Sequence, residues 1–283
     1  MVLETILNPI TAERKPWEMF FIGIVYSSIA ILLSFWIFNE YTSMVMVFLT
    51  TMACVPLLYS TIKLEEKKDI IVNEERTLLR EHSKVILFLL FLFLGFALSF
   101  AVWYVFLPAD LAQNTFSVQT QTITNINTGA TGMAFQSVGI FTKIFFNNIK
   151  VLIFCILFAF IYGAGAIFIL TWNASVIGAA IGNFVRIGIS AEASMLGLAG
   201  TAKYFHIFSL GLLRYAIHGI PEIAAYFIAG LAGSIISIAV IRHDLGTKKY
   251  ERIILDTSDL IIIAIVILFL AALLEVYVTP LLF

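Results

Sequence analysis

Long runs of apolar residues constrain the fold of this chain more than any other feature. An α-helix needs about 20 apolar residues to cross a hydrocarbon core of roughly 30 Å. In hydrocarbon the backbone must satisfy its hydrogen bonds internally, so each run predicts a spanning helix. The runs are Met19–Phe38, Met44–Ile62, Val85–Leu107, Val151–Trp172, Pro221–Ile241 and Leu260–Leu274, the last reaching Val278 if Glu275 lies near an interface.

Composition supports the same class. The 283 residues are 61% hydrophobic and only 12% charged, whereas a soluble domain carries about 25% charged residues. We therefore predict an all-α, polytopic transmembrane helical bundle with the lipid bilayer as its surroundings. The net charge of −1 excludes a basic nucleic-acid-binding surface. Cys54 and Cys155 lack metal-ligand spacing and read as buried apolar residues, and we predict neither a metal nor a cofactor.

A seventh span, Tyr204–Ile217, is shorter than the others and contains Arg214. Between it and the fourth span lies the stretch 173–203, which holds two apolar segments of less than spanning length. These segments predict either a broken or re-entrant helix region lining a cavity, or close packing of small-residue helices. The sequence leaves the two alternatives open.

The orientation follows from the distribution of lysine and arginine, which favour the cytoplasmic side. Nearly all of them fall on one side if the N-terminus, 63–84, 173–203 and 242–252 share that side. Lys143 and Lys150 lie on the opposite side. The pattern predicts a multi-pass cell-membrane protein with a cytoplasmic N-terminus and an outer C-terminus.

The connecting segments differ in character. Residues 63–84 are rich in charge and predict cytoplasmic extensions of spans two and three with a solvated face. In the polar outer segment, the alternation from Phe116 to Thr124 allows a small β-hairpin closed near Asn127-Thr128-Gly129. Met133–Phe146 then predicts an amphipathic helix lying in the membrane interface.

These features divide the chain into three regions. The first is an N-terminal three-span region with its charged cytoplasmic loop. An outer polar loop with an interfacial helix follows, and a C-terminal four-span region completes the chain. The predicted boundaries are 1–107, 108–148 and 149–283.

A polar interruption stands out against this apolar background: Arg214, then His218-Gly219-Ile220-Pro221-Glu222. Proline lacks an amide proton and fits the first turn of a helix, so Gly219 and Pro221 predict a helix break. Glu222 then begins the next helix, where the positive end of the helix dipole favours a carboxylate. A salt bridge from Arg214 to Glu222 across the break is expected.

Other polar residues approach the same level of the bilayer. The predicted topology brings residues from several spans toward the outer leaflet, so we predict a shared intramembrane polar site. Its members are Asn147, Asn148, Asn173, Arg214, His218, Glu222 and Glu275.

Three interpretations of this site compete. Its residues can satisfy a broken helix, since polar groups in a membrane must be paired. They can form the site of a channel or secondary transporter, where a broken helix beside a His/Glu pair is typical. Intramembrane hydrolysis is the third, but His206 lies about 18 Å along a helix from His218, so the two cannot bind one metal ion.

The C-terminal half, about residues 140–245, resembles the stage II sporulation protein M family. The resemblance rests on ordered blocks: Phe146-Asn147-Asn148, then Trp172-Asn173 followed by Ile177-Gly178, then His218-Gly219-Ile220-Pro221-Glu222 before a span with Gly230 and Gly233. It implies a multi-pass membrane protein. Sporulating members belong to a membrane-anchored complex with cell-wall enzymes, but relatives occur in bacteria and archaea that do not sporulate.

The resemblance supplies no reaction and no transported substrate. We therefore expect a non-catalytic component of membrane or envelope organisation that acts through membrane or envelope protein partners. The glycine-rich faces of the fourth and sixth spans also suit close helix contacts. They make a homodimer an expectation to be tested.

Overall fold

The computed structural model describes residues 9–38, 40–71, 75–128, 136–159, 164–191, 198–241 and 246–282. Within these ranges the chain forms helices and no strand, which confirms the predicted all-α class. The elements are α1 (Pro9–Arg14), α2 (Glu18–Ile37), α3 (Thr42–Ile71), α4 (Glu75–Phe106), α5 (Ala109–Thr115), α6 (Ser117–Thr128), α7 (Gln136–Ala159), α8 (Ala164–Ala191), α9 (Leu198–Ile241), α10 (Lys248–Leu273), the π-helical segment Leu274–Val278 and α11 (Thr279–Leu282).

Seven helical stretches in the described residues are long and apolar enough to cross a membrane, the number that the sequence predicts. The first three and the last coincide with predicted spans. The other three are grouped differently. The stretches are Glu18–Ile37, Thr42–Glu65, Arg80–Phe106, Val138–Ala159, Ile167–Ile189, Ser209–Ser237 and Tyr250–Leu282.

The predicted span Val151–Trp172 is wrong, because its two halves belong to α7 and α8. Gly163 and Gly165 lie within that run, and glycine is a weak helix former. The segment 174–185, predicted to be too short to cross, is the second half of α8. Its first half comes from the divided run, so the residues together reach spanning length.

The predicted spans Tyr204–Ile217 and Pro221–Ile241 are one helix. Helix α9 runs for 44 residues with Pro221 inside it. Opening the backbone in hydrocarbon leaves amide and carbonyl groups unsatisfied at a cost of several kcal/mol each. Continuing the helix past one proline loses a single backbone bond, which explains why the predicted break does not form.

The polar segment after α4 is helical as well, so the predicted hairpin is wrong. Residues 117–128 form α6, while Gly129 lies outside the described residues. The hydroxyls of Thr122 and Thr124 donate to the carbonyls of Val118 and Thr120, at 2.8 and 3.0 Å. Threonine satisfies its hydroxyl this way in a helix, so its alternation with other residues does not identify a strand.

The predicted interfacial helix Met133–Phe146 does not end where the sequence suggests. From Gln136 onward it continues as α7, which crosses with the residues that follow. Residues 133–135 lie outside the described part of the chain.

Helix α4 lies at the centre and touches α2 through backbone. A Cβ atom on Gly95 would lie 2.2 Å from the carbonyl oxygen of Phe20, and one on Gly23 would lie 2.4 Å from that of Leu92. Close approach of this kind is how helices associate in lipid, where apolar surfaces gain little from contact alone. Nearby, the Trp103 indole donates to the Ser28 hydroxyl at 3.0 Å.

We expect Gly95→Ala to destabilise the folded protein by about 1–3 kcal/mol, because backbone rather than a mobile side chain blocks the added methyl group. Thermal unfolding in detergent measures the change. Gly139→Ala is the matched control, since no atom lies within 4 Å of its Cβ position. Equal unfolding temperatures for the two variants would contradict the close backbone contact between α2 and α4.

The remaining close glycine contacts also lie within the chain. Gly178 of α8 meets Phe100 and the Ala97 carbonyl of α4, and Gly233 of α9 meets the Ile156 carbonyl of α7. Gly233, which lies in one of the spans that suggested a homodimer, is therefore used in packing within the chain. The homodimer itself stays a prediction.

A network of charged residues ties α1 to the C-terminal part of α3 and the N-terminal part of α4. The Lys68 ammonium lies 3.0 Å from Glu13, 2.7 Å from Glu65 and 3.4 Å from Glu81. The other oxygen of Glu65 lies 2.7 Å from Nδ1 of His82, and both side chains are buried. The extensions of the second and third spans are confirmed, but the predicted solvated face is wrong for these residues.

The pKa values of the network follow from its burial. Burial raises the pKa of Glu13, outweighing its hydrogen bond from Lys68. Burial lowers the pKa of Lys68, but hydrogen bonds and charges from Glu65 and Glu13 outweigh that effect and raise it above its ordinary value of 10.5. The stabilisation that Lys68 contributes is therefore fully present at pH values below 10.5, and it is lost as the pH rises through the raised pKa.

We expect Lys68→Met to cost about 3 kcal/mol at neutral pH, because removal of one partner leaves buried carboxylates uncompensated. Unfolding in detergent at several pH values measures the cost, which should persist through neutral pH. Lys63→Met is the matched control, since Lys63 is exposed on the same helix. Equal stability of the two variants would contradict a stabilising network.

At the opposite end, Gln119 of α6 links α3 to α8. Its amide oxygen accepts from the Ser43 hydroxyl at 2.6 Å, and its amide nitrogen donates to the Ser43 carbonyl and the Ser175 hydroxyl at 3.2 and 3.1 Å. Gln119 is fully buried. Because each polar atom of the Gln119 amide has a partner, α6 docks on the bundle without leaving this buried side chain unsatisfied.

The contacts of Arg186 show that the predicted position of the 173–203 connector, on the same side as 63–84, is wrong for this residue. Its guanidinium donates to the carbonyls of Val105 and Leu107 and lies over the Tyr104 ring. Cations favour helix C-termini, where carbonyls lack helical donors. The α4 terminus lies at the end opposite 63–84, so this part of the connector does too.

Candidate functional site

The polar residues of α9 lie on one face because they are one turn apart. His218, Glu222 and Tyr226 follow at intervals of four, which places them above one another along a helix. The Tyr226 hydroxyl donates to Oε1 of Glu222 at 2.7 Å. Tyr226 is fully buried, whereas His218 and Glu222 are partly buried. One carboxyl group of the site is thus held by a buried phenol.

The facing residues come from the end of α10 and the segment after it. The Thr279 hydroxyl donates to the Leu274 carbonyl at 3.1 Å and lies 3.4 Å from Nδ1 of His218. A hydroxyl can donate only one hydrogen bond. Because the Thr279 hydroxyl donates to the Leu274 carbonyl, its oxygen accepts a hydrogen bond from Nδ1 of His218. This chain of contacts connects a backbone carbonyl of one helix to a side chain of its neighbour.

Glu275 lies within the π-helical segment Leu274–Val278. Its carboxyl group interacts electrostatically with that of Glu222 across the contact between the helices. Single π-helical turns inside α-helices are rare overall, but those that occur often lie at functional sites. We call His218, Glu222, Tyr226, Glu275 and Thr279 the α9–α10 polar cluster.

The cluster lies inside the bilayer on the side where α4 ends. Phe93 of α4 packs edge-on against Phe227 of α9, with ring centroids 6.4 Å apart, which fixes the relative height of the two antiparallel helices. At 1.5 Å per residue, Glu222 lies about 12 Å below the level of Phe106. A carboxyl group at that depth needs a partner or a water-filled cavity.

Gly219 and Pro221 do not break the helix, but they weaken it beside the cluster. Pro221 cannot donate to the carbonyl of Ile217, the bond that an α-helix would form there. A Cβ on Gly219 would meet no atom within 4 Å, so close packing does not require glycine at this position. On the opposite side of the contact, the π-helical segment interrupts α10. Two irregular stretches thus face the same polar residues.

The predicted asparagines differ in their exposure and in their partners. Asn147 is exposed, whereas Asn148 is buried with its Nδ2 unbonded within the described part of the chain. Adjacent residues on a helix point about 100° apart, so they cannot share one inward face. Asn173 donates to the Ile169 carbonyl of its own helix at 2.8 Å.

Arg214 belongs to α9, but its side chain lies outside the described residues. Its salt bridge with Glu222 therefore stays a prediction. Among the described residues, no group of three His, Cys, Asp or Glu side chains could hold a metal ion. The cluster combines two carboxyl groups, an imidazole, a phenol and a hydroxyl, which suits proton binding and hydrogen bonding between helices.

The sequence predicts three members of the cluster, His218, Glu222 and Glu275, but not Tyr226 or Thr279. Tyr226 could have been found, because it lies four residues after Glu222 on a predicted helix. Thr279 gave no such signal, since only packing of α10 against α9 brings it to His218.

Comparison with known proteins identifies the family. The model of the stage II sporulation protein M family matches residues 85–280. The chain belongs to this family. The match starts in the third span and continues through the last, beyond the limits of the sequence resemblance. No curated protein and no solved structure matches the chain significantly.

We expect Tyr226→Phe to cost about 1–2 kcal/mol, because Glu222 loses a buried donor and keeps its desolvation penalty. The unfolding temperature in detergent measures the effect. Tyr277→Phe is the matched control, because Tyr277 lies in the π-helical segment Leu274–Val278 and its side chain is exposed. A loss of stability in the control as large as that in Tyr226→Phe would contradict the assigned hydrogen bond.

Proposed function

We propose that this family member is a non-catalytic, multi-pass component of membrane or envelope organisation that acts through partner proteins. The observation that carries the proposal is that the cluster residues bind one another, both within α9 and across its contact with the segment after α10. The Tyr226 hydroxyl is committed to Glu222, and Thr279 joins a carbonyl of one helix to His218 of the other. Such a site determines how α9 and α10 pack against each other. A protein that acts by binding partners, rather than by catalysis, depends on defined packing of this kind.

The proposed orientation places the N-terminus in the cytoplasm of a cell-membrane protein and the C-terminus outside. Lysine and arginine remain concentrated in the N-terminal segment, in 63–84 and in 242–252 after the spans are regrouped. Seven crossings then leave the termini on opposite sides. Under this orientation the polar cluster lies in the outer half of the bilayer.

A channel or secondary transporter is the second candidate. The electrostatic interaction between the Glu222 and Glu275 carboxyl groups favours it, because ionised neighbours in a low dielectric repel one another. Protonation of either carboxyl group removes that repulsion, and ionisation of both weakens the contact between the helices. A proton could therefore change the packing of α9 against α10 during transport.

Two variants in proteoliposomes separate the candidates. With an internal pH-sensitive dye and an imposed pH gradient, the organising role predicts no proton flux above that of protein-free vesicles. It also predicts that Glu222→Gln and His218→Ala alter folded yield or unfolding temperature. Wild-type flux that Glu222→Gln abolishes at unchanged folded yield would overturn the proposal in favour of transport.

Solubilisation of native membranes in mild detergent tests the dependence on partners. We expect the full chain to migrate in an assembly larger than itself, with other membrane proteins at fixed stoichiometry, measured by native electrophoresis and mass spectrometry. Migration as the chain alone in every mild detergent, at native expression, would contradict the proposal.

A further inference from the structure

The outward face of α7 carries a lysine at mid-span. The buried residues of α7 include Asn148, Leu152, Cys155 and Ala159, which recur at helical spacing and define its inner face. Lys150 lies about 200° around the helix from Asn148, so it points away from the bundle. Lys150 is exposed, and within the described residues no carboxylate forms an ion pair with it.

Lys150 lies too deep to be explained as an end-of-helix lysine. Within the described residues the spanning stretch is Val138–Ala159, after which residues 160–163 lie outside the described part of the chain. At 1.5 Å per residue, Lys150 lies about 18 Å from Val138 and about 14 Å from Ala159. Lysine side chains extend to the headgroups near helix ends, whereas an ammonium at mid-span requires a partner or a water-filled cavity.

The residues around Lys150 form a surface suited to another helix. Asn147, one turn earlier, is exposed on the same face and adds amide donors to the ammonium. Phe146, Phe154 and Leu157 are 57%, 51% and 57% exposed, and they flank the two polar groups with apolar area. We call these five residues the outer α7 face.

A carboxylate matches this surface better than the alternatives do. It accepts hydrogen bonds from an ammonium and an amide together, and the ammonium neutralises its charge. Lipid phosphates lie at the headgroup level, above and below the mid-span position of Lys150. The carboxyl groups of Glu222 and Glu275 belong to a cluster on other helices, and Lys150 points away from the helices that carry them.

We propose that the outer α7 face binds a transmembrane helix of a partner protein that carries an aspartate or glutamate at mid-span. This inference rests on the proposed function, in which the chain acts through membrane partners. The Lys150–carboxylate pair supplies specificity in hydrocarbon, because any helix without the carboxylate leaves the ammonium unpaired. The flanking aromatic residues supply packing area.

The test uses the full chain in phosphatidylcholine vesicles with labelled polyleucine transmembrane peptides. One peptide carries a single central glutamate and the other carries leucine there. Energy transfer between peptide and protein should show at least tenfold tighter binding of the glutamate peptide. Lys150→Leu should remove that preference and Asn147→Leu should reduce it, while Lys63→Leu, an exposed lysine outside this face, should leave it unchanged.

A variant with the opposite charge at position 150 shows whether the loss of binding reflects the lost ion pair or a folding defect. Lys150→Glu should prefer a peptide with a central lysine, and its unfolding temperature should match that of wild type. Equal binding of both peptides by wild type would overturn the inference, as would an unaltered preference in Lys150→Leu. Energy transfer between copies of the chain that depends on Lys150 would instead identify a second copy as the occupant and overturn the partner assignment.

The native assembly separates the two proposals. If wild type forms an assembly and Lys150→Leu forms it equally well, the outer α7 face is not the docking surface and the organising role stands. If wild type forms no assembly at all, the organising role itself fails. Loss of the assembly in Lys150→Leu, with retention in Lys63→Leu, supports both.

Discussion

The structure depends on one constraint, that a backbone inside hydrocarbon must satisfy its hydrogen bonds without water. The constraint makes every span helical, and it also explains the largest local departure from sequence propensity. Pro221 and Gly219 lie in the middle of α9, yet the helix continues through them. A loop at that depth would expose several polar backbone groups, whereas the continuous helix gives up one bond.

Polar contacts then specify which helices are neighbours. Apolar surfaces gain little by contact in lipid, so close backbone approach and hydrogen bonds decide the arrangement. Glycines bring α2 against α4 and α7 against α9. Gln119 joins α3 to α8 near one end of the bundle, and the Glu65–Lys68–His82 network holds the other end. The polar cluster performs the same task for α9 and α10, with groups that can exchange a proton.

The candidate site was partly predictable. His218, Glu222 and Glu275 were evident, because ionisable residues in apolar runs are few and costly. Asn147 joins the predicted site on depth alone, and the depth of a residue carries no information about the direction in which its side chain points. The structure turns Asn147 outward and bonds Asn173 to its own helix. The predicted topology places Lys150 on the outer side of the membrane, because the predicted fourth span begins one residue later, at Val151.

The sequence by itself determined the membrane class, the number of spans and the family, because these follow from apolar length, charge content and ordered motifs. Tertiary structure decided how the apolar runs divide into helices, since 151–172 and 204–241 each allow more than one division. It also decided that Thr279 meets His218, that Gln119 enters the bundle and that Lys150 faces away from it. Those outcomes depend on the rotation of each helix, which is set by packing against neighbours distant in the chain.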